Sequence, residues 1–523
     1  MIRTVEQYLE SLRDGRVIYC LGERVRDVTT HPVLRRTVQS GAMDYIVPNH
    51  PDMRDLFVTK NEDGEDTHFL WTTPRTTEDL LRRREIYITG ARFGGVSLHC
   101  MGVDGLAACR VLADRMDKAL GTNYRERVEN FRKYIQKTDI GLTTAQTDIK
   151  GDRGLHPSQQ VQHKDFYVRV VDKQKDGIVV RGCKYHISST PGSNEVFVIP
   201  SRTHGEADKD YAVAFVTPLN AKGITLICAD PEIKGPSTPE TFWDSPIASY
   251  GGPGDGECMI VFDDVFVPWE RVFMCQEWQF SRDIAYLFAT FHRLFACCRM
   301  VPTLENLTGI AALMAEYNGL ERYTHIREKL SWMAQITEAF KVMNLSACMF
   351  PEKEGDSDLV NPNRMYINIA KYMYADNYHD MVKFAQDIAG GIIADPIGYR
   401  DWENPETRPY IEKYAAGKAG VPTEDRLKAI RYMHDITGGR HLSHQIHAEG
   451  SLAAQKMMFY ANAEWDYYKA VAKRSANISG WETDPQLAEM KSYRHLLADH
   501  MPPIDANYEI MKGQAVGAGS TGS

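Results

Sequence analysis

Apolar positions along the chain fall into three textures. From 77 to 92 (Leu80, Leu81, Ile86, Ile88) and from 104 to 120 (Leu106, Val111, Leu112, Met116, Leu120) they recur at a period nearer 3.6 than 2, which predicts amphipathic helices. The start of the chain agrees: Thr4 and Gln7 make a capping box, and Val5, Tyr8, Leu9 and Leu12 lie at helical spacing. Between 151 and 275 the pattern changes to short runs rich in β-branched and aromatic residues, at 166–171, 178–181, 196–199, 211–216, 224–227, 259–262 and 265–267. Asp176-Gly177, Ala221-Lys222-Gly223 and Asp263-Asp264 punctuate them as turns. The spacing leaves no room for intervening helices, so a barrel or small sandwich is expected rather than a doubly wound parallel sheet. From 280 to 500 the helical period returns over 281–317, 321–349, 364–389, 424–437 and 441–475, lengths suited to a bundle.

The expected architecture is therefore α+β and mainly α: an N-terminal helical domain (1–150), a central β-barrel domain (151–278) and a C-terminal helical bundle (279–523). Residues 516–523 are small and polar and have little to bury. The connection from Ala394 to Val421, rich in Pro and Gly, is long enough to predict a functional loop or an oligomer contact.

Composition narrows the function classes. The 523 residues are 43% hydrophobic and 25% charged, which excludes a disordered, collagenous or disulfide-scaffold chain. With 61 Lys+Arg against 70 Asp+Glu the net charge is −9, so no positive field collects phosphate backbones and nucleic acid is not an expected partner. No run of about 18 uninterrupted apolar residues occurs, so no membrane span is expected, and the N-terminus lacks a signal-peptide core. The ten cysteines include no C-x-x-C pair, which fits reduced thiols and a cytoplasmic location. No G-x-G-x-x-G follows a strand and no G-x-x-x-x-G-K-[ST] occurs.

Thr147 to Gly154 (TDIKGDRG) packs charge around two glycines where helix gives way to strand. By composition it is a solvated loop; by chemistry, backbone N–H groups beside Gly151 and the guanidinium of Arg153 suit a pyrophosphate or a ring carbonyl of a cofactor. His441, His444 and His447, three apart, share a helix face; with no spaced carboxylate or thiol partner they line a site or sit in the surface or core. Glu257, at the start of an apolar strand, is either a solvated strand-end residue or an acid/base.

The sequence resembles the family of 4-hydroxyphenylacetate 3-monooxygenase large components and 4-hydroxybutyryl-CoA dehydratase, which share an acyl-CoA dehydrogenase-like fold. The likeness rests on Lys150 to Gly154, Asp172 to Gly182 (DKQKDGIVVRG), Val261 to Pro268 (VFDDVFVP), Asp387 to Gly391, Asn404 to Tyr410 and Gly438 to His441. It implies FAD along Thr144, Ala145, Gln146, Lys150, Gly151, Asp152 and Arg153, with Ser188 or Ser189 near the flavin N5 and Gly439, Arg440 and His441 contributing from the bundle. It also implies a homotetramer arranged as a dimer of dimers. In the dehydratase branch an iron-sulfur cluster takes three cysteines and a histidine; here Cys100 and His292 stand at two of those positions and Val96 and Arg299 at the others. The phenol-hydroxylating branch places Arg, Tyr and His where this chain has Val96, Cys100 and Thr144, leaving Arg92, His99 and Cys100 as substrate-side candidates. His444, aligned with a catalytic glutamate of the dehydratase, is the first candidate base, with His292 second and Glu257 also in the catalytic set.

The leading expectation is a flavin-dependent monooxygenase. A separate flavin reductase would supply reduced FAD, and O2 would form a C4a-hydroperoxyflavin that hydroxylates a phenol-like aromatic. The alternatives are a cluster-free acyl-CoA dehydratase/isomerase with FAD and a non-catalytic flavin-fold protein. No metal site is expected.

Overall fold

The computed structural model describes residues 2–93, 98–229, 256–355, 357–438, 442, 445–446, 450–476 and 478–487. Residues 1–459 cluster as one compact unit, and the chain from Tyr460 onward as a second.

The first unit opens with α1 (Val5–Ser11), closed by the Thr4/Gln7 capping box, then β1 (Ile18–Cys20), β2 (Glu23–Arg24), α2 (Arg35–Asn49), α3 (Arg54–Phe57), β3 (Val58–Lys60) and β4 (Asp66–His68). Three helices follow: α4 (Thr77–Arg92), capped by Thr76 and Asp79, α5 (Cys100–Leu120), ended by left-handed Gly121, and α6 (Tyr124–Thr138). The strands are β5 (Leu142–Ala145), β6 (Arg169–Lys173), β7 (Gly177–Ile187), β8 (Glu195–Val198), β9 (Val213–Pro218), β10 (Ile224–Cys228), β11 (Cys258–Pro268) and β12 (Val272–Cys275). The bundle comprises α7 (Ser281–Tyr317), α8 (Thr324–Met349), α9 (Arg364–Ala389), α10 (Tyr399–Glu403), α11 (Arg408–Tyr414) and α12 (Thr423–Thr437). Beyond it lie α13 (Leu452–Asn462) and α14 (Trp465–Ser475).

The β region is two open sheets rather than the expected closed barrel. One runs β2-β1-β10-β11-β7-β6 and the other β12-β9-β8-β5. Segments assigned to the helical N-terminal part supply β1, which pairs parallel with β10, and β5, which pairs parallel with β8. The sheets share one core, where Phe215 of β9 meets Phe262 of β11 edge-on at 5.9 Å. The four-stranded sheet is covered on both faces. Val213 and Phe215 join the inter-sheet core, while Ala214 and Val216 join the core under the helices. That explains the unbroken apolar run of β9, since a strand buried on both sides has no polar alternation.

In the helical layer α7 is the axis, packed by α4, α5, α8, α9 and α12. A window of the helical stretch 278–317 is long and apolar enough to cross a membrane by length and composition, yet 72% of it is buried inside the protein. Its apolarity is that of a core helix surrounded by other helices.

Candidate functional site

The sheets and the bundle meet where α5 lies on β5. A Cβ at Gly102 would sit 2.5 Å from Leu142, so glycine sets that close approach. Thr144 Oγ1 then donates to the Met101 carbonyl at 2.7 Å, and Thr143 Oγ1 donates to the Ser188 carbonyl at 2.8 Å. Ser188 Oγ donates to Glu257 Oε1 at 3.2 Å. Ser189 is buried with φ 58°, and its carbonyl accepts from Ser193 Oγ. One turn along α5 from Cys100, buried Asp104 meets His292 of α7, with Nδ1 to Oδ2 at 3.0 Å. Burial pushes the Asp104 carboxyl above its usual range, and His292 and Arg83 oppose that shift. The His292 ring stacks on Phe288 at 5.0 Å and tilts against Phe295 at 5.4 Å, and the Arg299 guanidinium lies 5.9 Å over Phe295. The spacing 288, 292, 295, 299 makes this one face of α7.

The second part of the site is the 146–154 loop. Lys184 is 1% exposed in β7, and its Nζ reaches Asp148 Oδ1, the Gln146 carbonyl and the Ile199 carbonyl, each at 2.8 Å. The ammonium thereby spends all three protons inside the protein. Gly151 has φ 54°, and a Cβ there would lie 2.4 Å from Phe166, so both conformation and space require glycine. Buried Gln160 brackets the turn, accepting from Asp152 N at 3.0 Å and donating to its carbonyl at 2.7 Å, while Asp152 Oδ1 accepts from Gly154 N. The loop is thus pre-formed, with the Arg153 side chain on its exposed side. Burial lowers the Lys150 pKa, and repulsion from Arg153 and Arg202 lowers it further. The adjacent Ser201 Oγ is buried with no hydrogen-bond partner among the described residues.

A third cluster lies under the N-terminus of α5. His99, 1% exposed, sits with Nε2 3.0 Å from Asp139 Oδ1 and Nδ1 3.8 Å from Asp44, and stacks on His68 at 4.4 Å. Asp139 also accepts from Trp71 Nε1 at 3.1 Å and Arg3 N at 3.0 Å. Burial would raise the Asp139 carboxyl, but His99, His68 and the backbone donor hold it down at about 2. Burial would lower His99, but the two carboxylates raise it above the ordinary imidazole range. A small cavity between Asp44, His68, His99 and Cys100 adjoins this cluster.

Thr144 is tied to α5 through Met101, Ser188 to β5 through Thr143 and to Glu257, and His292 of α7 to Asp104 of α5, one turn from Cys100, while Lys150, Gly151, Asp152 and Arg153 lie on the pre-formed loop. Ala145 is buried core, and Gln146 contributes its carbonyl. Arg92 stands apart, exposed at the end of α4 and paired with Glu305 at 3.0 Å. His99 is an interior ion-pair residue rather than a surface donor. Gly439, Arg440, His441 and His444 lie outside the described residues, as does Val96. Asp104, Asp148 and Lys184 were not foreseen. Lys184 carried a signal, because positions 178, 180, 182 and 184 of β7 all face inward and a lysine in that series must find partners.

The iron-sulfur donor set of the dehydratase branch does not fit. Of the four positions only Cys100 and His292 keep donor side chains, and two ligands do not hold such a cluster. Arg299 offers no ligand atom. Cys297 and Cys298 turn toward Ile367 of α9 and Asn344 of α8, not toward Asp104 of α5.

Comparison with known proteins gives the family. Residues 4–274 match the model of the 4-hydroxyphenylacetate 3-hydroxylase N-terminal family, and residues 281–477 that of its C-terminal counterpart. The 4-hydroxybutyryl-CoA dehydratase/vinylacetyl-CoA-Delta-isomerase of Clostridium aminobutyricum is 32% identical over 499 residues, covering 91% of this chain and all (100%) of that one. The oxygenase component of 4-hydroxyphenylacetate 3-monooxygenase from Thermus thermophilus is 30% identical over 450 residues, 84% of this chain and 89% of that one. A crystal structure of such an oxygenase component complexed with FAD and 4-hydroxyphenylacetate superposes with a TM-score of 0.80 at 26% identity, covering 91% of this chain and 98% of that one.

Proposed function

Because the chain belongs to the 4-hydroxyphenylacetate 3-hydroxylase family, we propose that it is the FAD-using oxygenase component of a two-component monooxygenase acting on a phenol-like aromatic. The observation that carries this choice over the dehydratase branch lies in the sequence: two of the four cluster positions, 96 and 299, hold Val and Arg.

The residues present fit FAD. Lys150 feels both Arg153 and Arg202, and the buried Oγ of Ser201, next to Arg202 in the chain, has no hydrogen-bond partner among the described residues, a donor set suited to a diphosphate. When bound, the flavin supplies the electrons and the oxygen chemistry that no side chain can. The chain's own groups do the rest. Lys184 and Asp148 hold the loop in shape from below. Asp104 fixes the His292 imidazole through Nδ1, which directs Nε2 to take the phenolic proton. Phe288 and Phe295 pack against the His292 ring and exclude water from it. Glu257 fixes the Ser188 hydroxyl at the sheet edge. Reduced FAD would arrive from a separate reductase, consistent with the missing nicotinamide fingerprint, and the subunits would pair as a dimer of dimers.

One observation favours a second reading: the match to the dehydratase/isomerase spans the whole of that relative. A paired assay separates the two. With reduced FAD and O2, the protein should consume a member of a phenol panel. With oxidised FAD it should leave vinylacetyl-CoA unchanged and contain no stoichiometric iron or sulfide. Isomerisation of the CoA ester, with or without iron, would overturn the proposal.

A further inference from the structure

Beside Glu257, three cysteines stand abreast on adjacent strands. Cys228 of β10 and Cys258 of β11 are register partners, and their sulfurs lie 3.5 Å apart. On the other side of β10, β1 pairs in parallel register through Tyr19 and Ile227, which brings Cys20 level with Cys228. The Cys20 thiol hydrogen-bonds that of Cys228. Cys20 and Cys258 are 2% and 1% exposed, while Cys228 is half-buried.

We infer that these three thiols form an oxidative modification site, in which a hydroperoxide enters at Cys228 and the product is a cross-strand disulfide between Cys228 and Cys258. Backbone pairing supports the geometry. Ala229 N donates to the Glu257 carbonyl at 2.8 Å, so residues 229 and 257 are the hydrogen-bonded pair and 228 and 258 the adjacent non-hydrogen-bonded one. Such pairs hold their Cα atoms about 4.5 Å apart, inside the range a disulfide spans, and the sulfurs need close by only about 1.5 Å to bond.

The chemistry balances. Cys20 pulls the Cys228 thiol down, but Cys258 and burial together push it up, so the reacting form is the minor thiolate, favoured at alkaline pH. Its sulfur attacks the distal oxygen of the peroxide, the O–O bond breaks, and hydroxide leaves and takes up the thiol proton as water, giving a sulfenic acid. The Cys258 sulfur then attacks the Cys228 sulfur and expels hydroxide, which leaves as a second water. Two thiols are oxidised by two electrons, and hydrogen peroxide is reduced to two waters. Cys20 is the alternative second thiol, since it flanks Cys228 from the opposite side. Cys20 and Cys258 cannot join each other, because they sit two strand spacings apart, roughly 9.5 Å, beyond disulfide reach. Cys228 is therefore the obligatory member of every pair. The product ties β10 to β11 one residue from Glu257, whose carboxylate holds Ser188.

The test exposes the folded protein to hydrogen peroxide, blocks remaining thiols with an alkylating agent and maps cysteine-containing peptides, for wild type and for Cys258→Ser and Cys228→Ser. Wild type should yield the 228–258 crosslink, removable by dithiothreitol. Cys258→Ser should yield 20–228, and Cys228→Ser no pair among the three. Should wild type keep all three thiols alkylatable, or carry irreversible oxidation at Cys228 with no crosslink, the inference is overturned. A 20–258 pair would overturn it as well. The wild-type map alone decides if either variant fails to fold.

Discussion

Replacing Lys184 by Met tests how the candidate cofactor loop is held. The ammonium is fully enclosed and bonds Asp148 and two carbonyls at 2.8 Å each, and Asp148 is itself only 4% exposed. Methionine fills most of the volume but leaves an uncompensated buried carboxylate, which costs about 3–5 kcal/mol. The carbonyls of Gln146 and Ile199 also lose a donor, at about 1 kcal/mol apiece. A total near 5–7 kcal/mol is a large fraction of typical domain stability, so the denaturation midpoint should fall steeply. Lys184→Met with Asp148→Leu removes both charges and should regain most of the loss, leaving about 1–2 kcal/mol for the orphaned carbonyls. Folded double variant should still bind FAD at least about tenfold more weakly than wild type, because the loop carrying Lys150 and Arg153 has lost its tether. Chemical denaturation and flavin fluorescence titration read the two effects separately. If the single variant loses less than about 1 kcal/mol, or if the double variant is no better than the single, the buried pair does not hold the loop as argued.

Asp139→Asn should cost about 2–3 kcal/mol near pH 5–6, since the carboxyl is held at about 2 against an ordinary value near 3.9. The Asp139 contribution is present above pH 4 and lost as pH falls through 2. The raised His99 contributes fully below about pH 6.5 and loses its share as pH climbs through its elevated value, so the gap between wild type and variant should narrow in alkaline denaturation series. Arg153→Ala should weaken FAD binding by about 1.5–3 kcal/mol, and unchanged affinity by fluorescence titration would show that Arg153 does not touch the cofactor. His292→Ala and His444→Ala should each lower product formation at least about 10²-fold with flavin affinity kept; a variant that instead loses flavin and unfolds early marks a scaffold residue.

Long apolar stripes made most of the helices legible. The periods over 77–92, 281–317 and 364–389 coincide with α4, α7 and α9, because each helix buries a stripe wide enough to dominate its own sequence. The short strands β1, β2 and β5 did not show, since two to four residues carry no period and their partners β10 and β8 lie far along the chain. For the same reason alternating runs announce strands but not their order, so the pattern leaves a barrel and a small sandwich both open, and the two sheets sharing one core are not the closed barrel. At the site, the glycines of the 147–154 loop were visible because φ and space at Gly151 demand one. Asp104 and Asp148 were hidden, since a carboxylate in a helix or loop reads as solvated until its partner, His292 or Lys184, is brought beside it.

The central claim is oxygen transfer from O2 to an aromatic ring by this chain with reduced FAD. The direct measurement supplies reduced FAD and isotopically heavy dioxygen with a phenol panel, and follows the mass of the product. One heavy oxygen atom in a hydroxylated product, with no product formed anaerobically, is the predicted result. Unlabelled product, or reoxidation of the flavin with stoichiometric peroxide and no product from any phenol, would contradict the account.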